Sequence, residues 1–118
     1  MDFTRQYTRT NLAPGRFISF RIGGKSFSGL PLVSLGTGGC GLQADPSLLE
    51  RVGKFRLVDE VRFAGLDLPD QPLCAKVVWV AGDDPACVGL EFTNLAPEYG
   101  GVLERLVLAI REGGRKGS

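Results

Sequence analysis

Two arginines, Arg5 and Arg9, stand four positions apart in the stretch "RQYTR" near the amino terminus. In an extended chain, four steps of ~3.3 Å separate them by roughly 13 Å, a span from which long side chains converge on one ligand. Arginine forks onto phosphate oxygens and stacks flat on purine faces, so such a pair suits a nucleotide. A second cluster follows in "SLGTGG", residues 34–39, with Gly41 just beyond. Glycine at 36, 38, 39 and 41 lets the backbone take positive φ and approach a partner closely. Successive N–H groups in such a turn form a concavity for anions. Read alone, the segment fits a ligand-free strand-to-strand turn slightly better.

Other chemistries are less well served. Counted from Gly36, "GTGGCG" spells G-x-G-x-x-G, but the dinucleotide fingerprint must open a helix. Here Pro46 arrives five residues after Gly41, and the helical signal that follows lasts barely two turns. "GGKS" at 23–26 ends like a phosphate-binding loop, yet that motif needs glycine where position 19 is serine. There is no histidine, which removes the commonest general base and every Ser-His or Cys-His nucleophile pair. The adjacent acids Asp59/Glu60 and Asp83/Asp84 mark turns or exposed strand ends better than acid–base dyads. No catalytic residues are therefore expected. Cys40, Cys74 and Cys87 are odd in number and lack C-x-x-C spacing, so they read as reduced, apolar packing residues; no metal site is expected, a three-cysteine zinc site being the alternative.

The net charge of +1 hides an asymmetry. Residues 1–44 carry five basic side chains and one acid, whereas residues 45–118 carry nine basic and twelve acidic. A basic first third suits a small anionic ligand, while a general DNA or RNA binder would be basic overall. The nine aromatics besides Trp79 fall mostly at core-spaced strand positions, leaving few platforms for single-stranded nucleic acid. No apolar run approaches the ~18 residues of a membrane span, and the first residues lack the apolar core of a secretory signal. A cytoplasmic protein without membrane insertion is the expectation.

The positioning elements follow from periodicity. Residues 1–15 read as an extended, flexible leader ending in the turn "APG". "RFISFRI" alternates as a half-buried strand, "GG" at 23–24 is a hairpin turn, and "KSFSGLPLVSL" returns. Gly29 and Pro31 predict a bulge or edge in the returning strand. "CGLQA" is a third strand, and "DPSLLERV" a short helix with Asp45 as N-cap and Pro46 at its first position. "EVRFAGLDL", "LCAKVVWVA" and "CVGLEF" complete six strands, with Leu73, Ala75, Val77 and Trp79 sharing one face. Tyr99, Val102, Leu103, Leu106 and Ile110 form the apolar stripe of a closing helix that is expected to stop at Gly113. The fold class is all-β with a carboxy-terminal helix, a six-stranded antiparallel barrel spanning 16–112, with 113–118 as a disordered tail.

An R-x-x-x-R leader, a hairpin, and a glycine-containing turn at the end of its second strand resemble the PilZ family. "AKVVWVAGDDPACVGLEFTNLAPEYGGVLERLVLAI" is similar to that family's last hairpin, its "vGleF" strand and its closing helix, and the resemblance covers residues 5–111. It implies a bacterial, non-catalytic receptor for cyclic di-GMP, a regulatory ligand rather than a cofactor. The family's arginine pair falls on Arg5 and Arg9. Its (D/N)-x-S-x-x-G motif falls on "SLGTGG", with Ser34 in the acid or amide position, Gly36 in the serine position and Gly39 matching. The implied ligand-binding set is Arg5, Arg9, Ser34, Gly36, Gly38 and Gly39. The departures at Ser34 and Gly36 imply the alternative of a degenerate adapter that binds an unidentified protein partner without nucleotide.

Overall fold

The computed structural model describes residues 9–82 and 85–116. Its elements run β1 (Arg9–Asn11), β2 (Phe17–Ile22), β3 (Lys25–Gly36), β4 (Gly39–Ala44), α1 (Pro46–Val52), β5 (Leu57–Ala64), β6 (Leu73–Ala81), β7 (Ala86–Phe92) and α2 (Pro97–Lys116). Every pairing is antiparallel, in the order β1-β3-β2-β5-β6-β7-β4, and a further β3–β4 pairing closes six strands into a barrel. This is the expected barrel with its terminal helix, and closure removes the sheet edges that would otherwise template association. The leader adds something new: β1 is a seventh strand, laid on the end of β3.

β2 alternates as its sequence predicts, with Ile18, Phe20 and Ile22 buried. Gly23 and Gly24 turn the hairpin at φ 58 and 81, conformations that L side chains rarely adopt. The expected irregularity in β3 is present, with Gly29 at φ 69 and a register shift against β2 between Ile18 and Phe20. α1 starts as predicted: Asp45 Oδ1 accepts from the Leu48 N–H at 2.8 Å. Arg51 ties the helix to the β2–β3 turn by donating to the Ile22 and Gly23 carbonyls.

Three expectations are corrected. β5 begins at Leu57 and ends at Ala64, rather than running over 60–68. Glu60 at φ 55 breaks its alternation, and Gly65 at φ 83 ends it where the chain meets Gly15. Trp79 does not share the buried face of Leu73, Ala75 and Val77. The β6–β7 register shifts between Val77 and Trp79, and this bulge turns the indole outward. α2 does not stop at Gly113 but continues to Lys116, a glycine in a helix costing only about 1 kcal/mol.

α2 lies against β1 and β3. Its buried seam is Tyr99, Leu103 and Val107, with Leu106 packed alongside. No helix among the described residues is long and apolar enough to cross a membrane.

Candidate outer-face ligand site at the β3–β4 turn

β3 carries two neighbours along one edge. Its first half pairs with β2, and its last three residues pair with β1, so that Arg9 faces Gly36, Thr10 faces Leu35 and Asn11 faces Ser34. The Leu12 N–H donates to the Val33 carbonyl at 3.0 Å and extends the zipper. The end of the arginine leader is thereby fixed against the "SLGTGG" segment. Arg5 and the side chain of Arg9 lie outside the described residues.

The turn is short, with β3 ending at Gly36, Thr37 and Gly38 bending, and β4 starting at Gly39. Its glycines are not used as expected. None of Gly36, Gly38, Gly39 and Gly41 is at positive φ. Gly39 and Gly41 are needed for their missing side chains instead. A Cβ on Gly39 would stand 2.1 Å from the Leu90 carbonyl oxygen, and one on Gly41 would stand 2.7 Å from Ser34 Oγ.

Ser34 is 8% exposed and is the one buried polar side chain among the described residues. Leu32 and Leu35 on either side point into the core, and the register against β4 shifts between Leu32 and Ser34. That shift leaves Ser34 on the outer face, opposite Gly41.

The other two arginines of residues 1–44, Arg16 and Arg21, are placed differently. Arg21 sits at the far end of the hairpin and is engaged by Asp59, with Nε and one terminal nitrogen each 3.2 Å from a carboxylate oxygen. Hydrogen bonding to that carboxylate, then its charge, raises the guanidinium pKa further. Arg16 is near the site, its carbonyl accepting from the Leu32 N–H at 2.9 Å, and its buried Nε has no hydrogen-bond partner.

The acidic pair Asp59 and Glu60 is held by cations, Asp59 by Arg21 and Glu60 by Arg62 at 3.7 Å; Asp83 and Asp84 lie outside the described residues. No disulfide joins Cys40, Cys74 and Cys87, and Cys40 lies in the core. No group of three or more potential metal ligands occurs among the described residues.

The residue that sequence reasoning misplaced is Trp79, whose ring lies on the outer face over Gly89. The signal for it was Gly89 itself, a bare position between the inward-facing Val88 and Leu90. A glycine there leaves space that only a neighbouring large side chain fills.

The comparisons with known proteins agree with this architecture. No curated protein matches the chain. Among solved structures, the chain is similar to the PilZ domain with c-di-GMP of YcgR from Escherichia coli, at 15% identity and a TM-score of 0.73 over 96% of this chain and 95% of that one. It is also similar to the Bacillus subtilis inhibitor of motility, at 17% identity and a TM-score of 0.72 over 94% of this chain. It covers 53% of that protein, about half its length. These structural similarities establish the fold alone. The PilZ domain model matches residues 3–109, and the chain therefore belongs to the PilZ domain family.

Proposed function

We propose that this domain is a non-catalytic receptor for cyclic di-GMP that works in the bacterial cytoplasm, with the ligand clamped between the R-x-x-x-R leader and the "SLGTGG" turn. The observation that carries the reading is the β1–β3 zipper, which sets Arg9 opposite Gly36 and Asn11 opposite Ser34. In this reading one ligand bridges the end of the leader and the turn, which that pairing sets side by side. Arg5 and Arg9 take the phosphates by charge-assisted hydrogen bonds. Backbone N–H groups of Gly38 and Gly39 contribute to the same anionic groups. The similar YcgR domain, whose structure is with c-di-GMP, supports this choice of ligand.

The affinity is set below that of a domain with the full motif. A carboxylate at position 34 would accept two hydrogen bonds from the N–H edge of guanine, and a serine hydroxyl replaces it poorly. Charge-assisted bonds contribute about 1.5–3 kcal/mol, so the loss at this position weakens binding by one to two decades. Calorimetric titration tests the reading: saturable heat is expected for the wild type, and loss of most of it for Arg9→Ala. No heat at ~100 μM protein, a concentration that detects even Kd values in the tens of micromolar, would end it.

A second reading is favoured by the same two departures and by the burial of Ser34. It makes the chain an adapter that binds a protein partner and no nucleotide. Ser34→Asp with Gly36→Ser separates the two: binding that appears only in the double variant identifies the natural chain as the adapter.

A further inference from the structure

On the outer face of the barrel one cross-strand row runs Ser34, Gly41, Gly89, Trp79 over β3, β4, β7 and β6, each residue directly opposite the next. The two central positions carry no side chain, and the indole of Trp79 lies in the space they leave. A Cβ on Gly89 would meet Cε2, Nε1 and Cδ2 of that ring at 2.1, 2.2 and 2.6 Å. All three atoms belong to the five-membered ring, so the indole rests with its face on the glycine backbone. The far end of the ring reaches Gly41, where a Cβ would stand 3.7 Å from Cη2 and 2.7 Å from Ser34 Oγ. The indole edge and the Ser34 hydroxyl thus converge over Gly41, beside the turn that begins at Gly36. Trp79 is nevertheless 37% exposed. With its inner face on backbone, that exposure belongs to the outer face and the edge.

A large aromatic ring held flat, with one π-face free, is a stacking platform for a base. We propose that Trp79 stacks on a purine of the bound dinucleotide, a contact beyond the leader arginines and the turn. The proposal rests on the cyclic di-GMP reading above. It also answers the deficit at Ser34 and Gly36: those departures remove polar groups that would read the edge of guanine, whereas stacking uses the face of the base. In this chain recognition shifts from edge to face.

Trp79 is the sole tryptophan, so intrinsic fluorescence reports this ring alone. The full chain is titrated with cyclic di-GMP while heat and tryptophan emission are followed in parallel. Emission is expected to be quenched with the same midpoint as the heat. Trp79→Leu, which keeps an apolar cover over the glycines without a π-face, should bind on the order of 10- to 100-fold more weakly. Trp79→Phe should recover most of that loss, with circular dichroism and the melting temperature showing that both variants keep the barrel. Heat without quenching, or a folded leucine variant that binds as tightly as the wild type, overturns the stacking contact and leaves the receptor reading standing. No heat overturns both. If the leucine variant does not fold, the wild-type quenching decides.

Discussion

A methyl group at Gly39 would stand 2.1 Å from the Leu90 carbonyl oxygen, a backbone atom fixed in the β4–β7 ladder. At Gly41 the nearest atom is Ser34 Oγ at 2.7 Å, the end of a side chain that can rotate. The kind of atom met decides the cost. Gly39→Ala must push two strands apart and should destabilise by at least about 1–3 kcal/mol. For a domain of this size that lowers Tm by about 4 °C per kcal/mol. Gly41→Ala should shift Tm much less, because a hydroxyl moves where a ladder does not. Thermal unfolding by circular dichroism compares the two, and equal shifts would refute the distinction. The glycine cluster was visible in the sequence as a feature of interest, but its physical role was not. Positive φ is the usual use of glycine, whereas a missing Cβ against a carbonyl depends on which strand lies alongside.

At the scale of elements, α2 and β1 hold each other at the site end of the barrel. Tyr99 opens the buried seam of α2, and its burial, with a smaller contribution from the negative charge of Asp70, raises its phenol pKa. The unfolded chain therefore ionises at this residue first. The stabilisation is fully present below the ordinary phenol pKa of about 10 and is lost as pH rises through the higher folded value. Urea midpoints should begin to diverge as pH approaches about 10 and above it should fall more steeply in the wild type than in Tyr99→Phe. Parallel slopes would show that Tyr99 does not couple to folding. Local alternation made β2, β3, β4, β6, β7 and both helices legible, since apolar spacing and turn glycines are written within each segment. β1 was not legible as a strand, because three residues pair only once β3 offers an edge. Nor was the bulge that turns Trp79 outward, because a register shift belongs to a pair of strands and not to either one.

For the molecule as a whole, six strands closing on one core were readable from patterning, while the family resemblance carried the ligand. β1 and the outer-face row both meet β3 at its last residues, beside the β3–β4 turn. Receptor function is tested by a calorimetric titration of the unmodified chain with cyclic di-GMP beside its linear form, pGpG. Saturable heat is expected for the cyclic dinucleotide, with clearly weaker binding of the linear one. No heat from either, or equal binding of both, would overturn receptor function.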